Sequence, residues 1–320
     1  MKITTLNEAA EWLMGQDDFV ILTHRRPDGD AVGSAAALCL GLRSLGKCAS
    51  ILQNPQLTPK MAPFWENLTC EKEGDALLVA VDLASEAQFS YSSTHLTQRV
   101  LLSIDHHGSN TDYAARTYVE PDTAACGEIV LRLLRQMSVK IDRRMAEAMY
   151  LAISTDTGCF RYSNVTADTL RAAADCRDCG ADTFAINQAF FMTKRLARLK
   201  LDAYLVRTME LYHGGKVAVN VLPERTLRSF GVVEDDIDNI SGFAREIEGV
   251  EIAVVVRQTP LGHYGKLSVR TSPRYDASAI CAPLGGGGHR AAAGATTQMD
   301  MAGAKAAVLQ VIDGLFEKKA

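Results

Sequence analysis

Four apolar runs in the first third of the chain have the length and composition of buried β-strands. They are FVILTH at 19–24, ASIL at 49–52, ALLVAVD at 76–82 and VLLSID at 100–105. The segment DAVGSAAALCLGLRSLG, at 30–46, lies between the first two runs and has a helical pattern. Nearly uniform apolar strands that alternate with helices predict a parallel sheet that is covered on both faces.

Helical patterns continue beyond this predicted sheet. Segments 122–137, 142–154 and 166–192 are predicted as helices, and 194–212 is predicted as an amphipathic helix that joins two domains. After that helix, KVAVNVL, VEIAVVVRQ and YGKLSVRT are predicted as strands, and 301–317 as a terminal helix.

The order of these elements predicts an α/β protein with two domains, and a chain of 320 residues is long enough for both. We expect a doubly wound, mostly parallel sheet in an N-terminal domain at 1–192, a helical linker at 193–213 and a smaller α/β domain at 214–320. Ligands of such sheets bind outside the carboxyl ends of the strands. The segments that follow the predicted strands are therefore where a site is expected.

Composition and charge narrow the classes of function. Hydrophobic residues make up 47% and charged residues 22%, which is typical of a globular protein. The net charge of −4 differs from the basic surfaces that hold long nucleic acids, so short RNA oligomers or phosphorylated nucleotides are the expected partners. No apolar stretch reaches the roughly 18 residues of a membrane span, and the acidic, amphipathic N-terminus is unlike a signal peptide. We therefore expect a cytoplasmic protein without a membrane partner.

The distribution of cysteines is that expected of a cytoplasmic protein. The eight cysteines are scattered singly through apolar segments, apart from one C-x-x-C pair at Cys176 and Cys179. No second ligand pair for zinc lies nearby in the sequence, so this pair is predicted to be structural. The pattern is typical of reduced, packed thiols rather than a disulfide framework.

Histidine and aspartate residues cluster where three of the predicted strands end. The positions are His24 with Asp28 and Asp30, then Asp82, then Asp105 with His106 and His107. Asp156, in STDTGCFRY, follows a predicted helix. Imidazole and carboxylate groups suit hard and borderline divalent metals. The clusters therefore predict one dinuclear metal site and, with it, hydrolysis of phosphate esters.

Each of these positions also has an ordinary structural interpretation. Asp30 could cap the helix that follows it, and His24 could be a surface residue at a strand end. Asp82 alone could be a helix cap or a loop residue, and Asp156 could form the turn of TDTG. The metal interpretation is preferred because a carboxylate at the end of a buried strand is costly unless it is paired or metal-bound.

The second half of the chain carries a candidate anion site. Four successive glycines, 285–288, allow backbone N–H groups to approach an anion without interference from Cβ atoms. A helix is predicted to begin near His289, where its N-terminal dipole would favour negative charge. Arg270, in KLSVRT, can bind a phosphate through two N–H groups.

Together these motifs resemble those of a known family. THRRPDGDAVGS, VAVD, DHH and STDTGCFRY resemble the DHH phosphoesterases, and SVRT with GGGGHRAAAG resembles the DHH-associated domain of the first type. The resemblance spans nearly the whole chain and is greatest to the nanoRNase and pAp phosphatase branch. It implies a hydrolase of phosphoric esters. Members of this branch are exonucleases that degrade oligoribonucleotides of a few residues to 5′-mononucleotides. They also remove the 3′-phosphate of adenosine 3′,5′-bisphosphate (pAp).

The resemblance also assigns roles in the first domain. It implies one Mn²⁺ ion on His24, Asp28 and Asp82, and a second ion on Asp30, Asp82, His106 and Asp156, with Asp82 bridging. It places His107 against the substrate phosphate, with Asp105 as the residue that orients a histidine. Mg²⁺ and Co²⁺ are alternatives to Mn²⁺, because carboxylate and imidazole ligands accept several metals.

The resemblance implies a set of substrate-binding residues as well. They are Arg161, Arg270, Gly286, Gly287, Gly288 and His289. Family members often have proline after DHH, where this chain has Gly108. That departure affects the geometry of a loop and not a metal ligand.

Three other functions are compatible with parts of the sequence. A phosphodiesterase of cyclic or linear dinucleotides is the nearest, and the sequence does not separate it from a nanoRNase. A family II pyrophosphatase shares the motifs of the first domain but lacks the GGGGH loop. A non-enzymatic nucleotide sensor predicts at least one missing ligand, yet all the expected positions are filled. Preferred substrate and cleavage polarity stay open, as does the choice between a monomer and a homodimer.

Overall fold

The computed structural model describes residues 5–237, 240–258 and 264–317. The chain divides into two compact units, Met1–Thr193 and Lys194–Ala320. The outer ends of the predicted domains, at residues 1 and 320, lie outside the described residues. No helix in the described ranges is long and apolar enough to cross a membrane.

A parallel sheet of six strands forms the centre of the first unit. Its strands are β1 (Phe19–Leu22), β2 (Ala49–Leu52), β3 (Thr69–Cys70), β4 (Leu77–Val81), β5 (Val100–Asp105) and β6 (Thr117–Val119). Their order across the sheet is β3-β2-β1-β4-β5-β6, which is the order of a doubly wound fold. The four strands predicted from apolar runs are confirmed. The two edge strands, β3 and β6, were not predicted.

The described part of this unit contains six α-helices. They are α1 (Leu6–Met14), α2 (Gly29–Ser44), α3 (Cys126–Gln136), α4 (Arg143–Asp156), α5 (Ala167–Asp178) and α6 (Thr183–Asn187). The prediction of one continuous helix over 166–192 is wrong. Gly180 has a φ of +94° between α5 and α6, a left-handed conformation that ends a helix, and a π-helical turn, Gln188–Met192, follows α6.

The helices cover one face of the sheet, and two 3₁₀ turns cover the other. Phe19 and Ile21 of β1 point into a core that they share with residues of α1 to α4. Val20 and Leu22 point the opposite way, into a core with Phe89. Because successive side chains of a strand point to opposite faces, a strand covered on both faces must be apolar throughout.

Close contact between α2 and α4 depends on Gly33. A Cβ atom at this position would lie 2.1 Å from the carbonyl oxygen of Ala148 and 3.0 Å from the Cβ of Ala152. No real side chain is tolerated at such a distance, so glycine allows the two helices to approach each other. Asp30 lies at the start of α2 and Asp156 at the end of α4, so this contact helps to set their separation.

A mixed sheet forms the second unit. Its strands are β7 (Glu210–Tyr212), β8 (Val217–Leu222), β9 (Ile252–Gln258), β10 (Gly265–Thr271), β11 (Gly287–Gly288) and β12 (Ala292–Thr296), in the order β11-β12-β10-β9-β8-β7. Among the described strand pairs of this sheet, β8–β9 alone is parallel. The helices are α7 (Leu196–Thr208), α8 (Glu224–Phe230), α9 (Glu234–Ile237), α10 (Ala277–Cys281) and α11 (Met301–Glu317).

Helix α7 is not amphipathic, which corrects the prediction for 194–212. Leu201 and Leu205 are buried, but Leu196, Leu199 and Val206 are at least half exposed. Apolar residues therefore lie on more than one face of the helix. The buried pair packs with residues of β8 and α8, so α7 is an integral part of the second unit.

The helix predicted to begin near His289 is absent. His289 lies in a tight turn in which its N–H donates to the carbonyl of Ala292, and the Ala292 N–H donates back. The following residues form β12, which pairs antiparallel with β10. Alanine has a high intrinsic helix propensity, but here the pairing of the segment with β10 outweighs that propensity.

Candidate metal centre

The cluster of histidine and aspartate residues lies where the strand order of the first sheet reverses. His24 follows β1, Asp82 follows β4, and His106 follows β5, and all three lie at the carboxyl ends of their strands. In open α/β sheets, crevices at such reversals are where ligands bind. The topology therefore brings together residues that are far apart in the sequence.

Asp82 lies at the centre of this cluster. Its Oδ2 is 3.7 Å from His24 Nε2, and its Oδ1 is 3.5 Å from His106 Nε2. Its φ of +52° is a left-handed conformation that few non-glycine residues adopt, Asp among the more frequent. Each carboxylate oxygen thus faces a different part of the cluster.

Within the described residues, three groups of side chains in this cluster could each hold a metal ion. Asp82 forms one with His24 and Asp28, whose Nε2 and Oδ1 atoms lie 3.8 Å apart. Asp82 forms another with His106 and His107, and His107 Nδ1 lies 3.5 Å from Asp82 Oδ1. The third group consists of Asp30, His106 and Asp156, and His106 Nε2 lies 3.6 Å from Asp30 Oδ2 and 3.4 Å from Asp156 Oδ2. Two ligands each about 2.1 Å from a shared ion lie roughly 3.0–3.5 Å apart. Such spacing is near that of metal ligands and too long for direct hydrogen bonds.

Two atoms in the cluster lack partners. Asp82 Oδ1 and His106 Nε2 are buried, and neither makes a hydrogen bond within the described ranges. Buried polar atoms are nearly always satisfied, and an unpaired charge is especially costly. The two atoms lie 3.5 Å apart, a separation at which both could bind the same divalent ion. The residues therefore fit a metal.

Charge repulsion in the cluster points to the same conclusion. Burial, together with the negative charge of Asp82, raises the pKa of the Asp30 carboxyl. Burial and the charge of Asp30 likewise raise the pKa of Asp156. Burial alone would lower the pKa of the His106 imidazole, but the surrounding carboxylates outweigh it and raise that pKa to about 11. The site attracts positive charge, which protons or metal ions can supply.

Asp28, and not Asp30, caps helix α2. The Asp28 carboxylate accepts hydrogen bonds from the N–H groups of Asp30 and Ala31. Asp30 is fully buried, and the backbone N–H groups of Cys126 and Gly127 donate to its carboxylate at 2.6 Å and 2.9 Å. The N-terminus of α3 therefore holds Asp30 in place.

Asp105 orients the histidine pair that follows it. Its buried Oδ1 accepts hydrogen bonds from His107 Nδ1 at 2.8 Å and from the N–H of His106 at 2.8 Å. The His106 ring donates through Nδ1 to the carbonyl of Thr123 at 3.1 Å, which turns Nε2 towards the cluster. Metal-binding histidines are commonly held in this way. Adjacent histidines thus have different surroundings.

Arg161 lies five residues after Asp156, and the candidate metal groups do not include it. Its Nε donates to the carbonyl of Gly158 at 2.6 Å, in the loop that follows α4. This loop has three successive residues with positive φ, Gly158 to Phe160.

The residues predicted to bind substrate in the second half lie together in the second unit. Arg270, on β10, pairs with Ala292 of β12, and Gly288 of β11 pairs with Ala293 of the same strand. Arg270 and Gly288 are therefore two strand spacings apart, roughly 10 Å. His289 directly follows Gly288.

Two family models match the chain, the "DHH family, N-terminal domain" over residues 18–153 and the "DHHA1 domain" over residues 214–318. A relative from Thermus thermophilus, named bifunctional oligoribonuclease and PAP phosphatase NrnA, is 31% identical over 91% of this chain and 88% of its own length. The chain belongs to the DHH/DHHA1 family.

Other relatives of this DHH/DHHA1 protein carry related names. Bifunctional oligoribonuclease and PAP phosphatase NrnA of Bacillus subtilis is 23% identical, over 88% of this chain and 89% of its own length. Cyclic-di-AMP phosphodiesterase PdeA of Listeria monocytogenes is 24% identical over 99% of this chain and 50% of its own length.

Solved structures share the fold of this DHH/DHHA1 protein. An exopolyphosphatase-related protein from Bacteroides fragilis has a TM-score of 0.88 at 22% identity, covering 97% of this chain and 95% of its own. Exonuclease RecJ bound to manganese has a TM-score of 0.55 at 15% identity, covering 96% and 94%. These likenesses establish the two-unit α/β architecture.

The sequence alone did not reveal two supporting residues of this DHH/DHHA1 protein. Asn110 donates through Nδ2 to Asp105 Oδ2 at 2.7 Å. The hydroxyl of Ser34 donates to Asp30 Oδ1 at 2.9 Å and is fully buried. Ser34 lies four residues after Asp30 on α2, a spacing that places both on one face of a helix, so this contact could have been predicted. The position of Asn110 has no comparable spacing in the sequence that would predict its contact with Asp105.

Proposed function

We propose that this protein is a metal-dependent phosphoesterase that hydrolyses short oligoribonucleotides to 5′-mononucleotides and removes the 3′-phosphate of pAp. The observation that carries the proposal is the arrangement around Asp82, whose two carboxylate oxygens face His24 on one side and His106 on the other. The relatives named oligoribonuclease and PAP phosphatase, matched over most of the chain, support the choice of substrate.

The proposed metal ligands come from the groups of side chains that lie around Asp82. His24 and Asp28 would hold one ion with Asp82, and three more side chains would share Asp82 in holding a second. Those three are Asp30, His106 and Asp156. Mn²⁺ is proposed because oxygen and imidazole ligands suit it and because RecJ, which shares the fold, binds manganese. When bound, divalent ions at such a site polarise the phosphate and supply a nucleophile at neutral pH.

His107 would contact the substrate phosphate. Its Nδ1 donates to Asp105, so the orientation of the ring is set by a buried carboxylate, while 27% of the side chain remains exposed. Burial alone would lower the pKa of His107, but the hydrogen bond to Asp105 outweighs it and raises that pKa. A protonated imidazole stabilises the negative charge that develops on the phosphoryl oxygens in the transition state.

The second unit would supply further anion-binding groups. A Cβ atom on Gly286 would lie 2.2 Å from the carbonyl of Gly294, so only glycine allows the loop to lie against β12. We assign binding of a phosphate or nucleotide to Arg270, His289 and Gly286–Gly288, and assign Arg161 to the substrate in the first unit. A guanidinium group that binds phosphate through two N–H groups gives both charge and orientation.

One observation favours a second candidate. The relative named cyclic-di-AMP phosphodiesterase matches 99% of this chain. Hydrolysis of a cyclic dinucleotide needs the same attack on a phosphodiester, so the cluster in the first unit serves either substrate.

The test is a product profile with Mn²⁺. It compares pAp, the dinucleotide pApA, cyclic di-AMP, and RNA of two to twenty nucleotides. We expect rapid hydrolysis of pAp and of the shortest RNA, with rates falling as length increases. Turnover of cyclic di-AMP alone would replace the proposal by the second candidate. No turnover of any of them would overturn both.

A further inference from the structure

Tyr91 is an exposed aromatic residue that lies nine residues after Asp82 in the chain. Among the large hydrophobic side chains that the structure describes it is the most exposed, at 83%. It lies between two 3₁₀ turns, Glu86–Gln88 and Thr94–Arg99, in the segment that follows Asp82. Burial in the core therefore does not explain a tyrosine at this position.

Arg25 links Tyr91 to the centre. It directly follows His24, and its backbone N–H donates to the carbonyl of Gln88 at 2.7 Å, which joins the loops after β1 and β4. Its guanidinium carbon lies 5.9 Å from the centre of the Tyr91 ring. Among the described residues, no carboxylate forms an ion pair with the Arg25 guanidinium group, and its contact with the Tyr91 ring is a cation–π interaction.

A small polar cleft lies next to this pair. Thr23, Asn54, Ser90 and Ser93 contribute to its lining. Asn54 Nδ2 donates to the backbone carbonyl of His24 at 2.9 Å, so the cleft adjoins the peptide group of a proposed metal ligand.

We propose that Tyr91 and Arg25 form a platform on which a nucleobase of the substrate stacks. Exposed aromatic rings combined with arginine are how proteins bind single-stranded bases without sequence preference. A base is joined to its phosphate through one ribose, so a nucleotide with its phosphate at the cluster brings its base close to the residue that follows His24. Both residues of this platform belong to the first unit. The proposal rests on the proposed function, because it assumes a nucleotide substrate.

The kinetic test compares Tyr91→Ala and Tyr91→Phe on two substrates. One is an RNA dinucleotide, and the other is an analogue in which both bases are replaced by hydrogen. For Tyr91→Ala we expect kcat/KM on the dinucleotide to fall by on the order of 10- to 100-fold, as removal of one stacking ring predicts, with no change on the base-free analogue. Tyr91→Phe should retain the rate, because it keeps the ring.

Matched controls separate stacking from charge and from general disturbance. Arg25→Ala should affect the dinucleotide selectively, but less than Tyr91→Ala does. Arg26→Ala removes the neighbouring exposed guanidinium and should change both substrates by the same factor. Tyr264→Ala removes another exposed tyrosine, located in the second unit, and should change neither.

Equal losses on both substrates, or no loss, for Tyr91→Ala would overturn the platform while leaving the proposed function in place. If the wild-type protein hydrolyses neither substrate, the proposed function fails, and calorimetry decides the platform separately. AMP and ribose 5-phosphate are then titrated into wild-type protein and Tyr91→Ala. The platform requires weaker AMP binding in the variant with unchanged ribose 5-phosphate binding, and equal AMP affinities would overturn it.

Discussion

Asp82 Oδ1 and His106 Nε2 lie 3.5 Å apart at the carboxyl ends of β4 and β5, both buried and both without a hydrogen bond in the described ranges. A buried carboxylate and imidazole that face each other without direct bonding are costly unless a third group lies between them. This pair is the strongest structural indication of a metal site in the described residues.

Asp82→Asn should abolish metal-dependent hydrolysis, with a loss of kcat of about 10³-fold or more, because the amide removes the charge and one ligand oxygen. Calorimetry with Mn²⁺ should show two ions per wild-type chain and fewer in the variant. Asp178→Asn, at an exposed aspartate on the last turn of α5, is the control and should match the wild type. Full activity in Asp82→Asn would exclude the bridging role.

Metal binding should release protons and strengthen as the pH rises. Burial alone would lower the pKa of His24, but the Asp28 and Asp82 carboxylates raise it to about 10, and carboxylates raise that of His106 to about 11. Both imidazoles are therefore protonated in the metal-free protein at neutral pH and must lose a proton to bind an ion. Calorimetry in buffers of different ionisation enthalpy measures this release. Affinity that stays constant between pH 6 and pH 8 would contradict it.

Asn110→Ala should slow catalysis while leaving the metal content unchanged. The variant loses the hydrogen bond from Nδ2 to Asp105 Oδ2, so the carboxylate that orients His107 is less firmly held. Loss of such a support typically costs 10–100-fold in activity. We expect kcat to fall and its pH profile to shift, with little change in KM. Asn187→Ala, at an amide that donates to Tyr150, is the control for loss of a side-chain hydrogen bond elsewhere in the unit.

Arg270→Ala and His289→Ala should weaken substrate binding, because both belong to the proposed anion site of the second unit. The expected effect is a rise in KM of roughly 10-fold or more for pAp, from loss of a charge-assisted contact. Arg225→Ala, at an exposed arginine on α8, serves as the control. If neither variant changes KM or kcat, the assignment of this site is wrong.

Gly33→Ala should lower the free energy of unfolding by about 1–3 kcal/mol, because its methyl group would collide with the carbonyl of Ala148 and push α2 away from α4. Gly314→Ala, on α11 where a Cβ would have nothing within 4 Å, should be neutral or stabilising by up to about 1 kcal/mol. Urea denaturation of both variants measures the difference. Equal stability of the two would show that the α2–α4 contact adapts to the extra atom.

Apolar runs predicted the centre of the first sheet well, because strands buried on both faces cannot carry polar residues in their interior. Short edge strands such as β3 and β6 lack that requirement and were missed. The break at Gly180 was missed because a glycine inside a helical pattern does not by itself announce a left-handed conformation. A helix was predicted to begin near His289, whereas pairing with β10 makes the following residues a strand.

The sequence by itself determined which side chains follow the strands, and parallel strands bring their carboxyl ends to one edge, so His24, Asp82 and His106 could be expected to meet. The tertiary structure alone decided how they meet. The left-handed backbone of Asp82 aims its two oxygens at different groups, and the N-terminus of α3 holds Asp30 from nearly a hundred residues away. Contacts of that kind depend on packing between distant segments, which no local pattern of residues encodes.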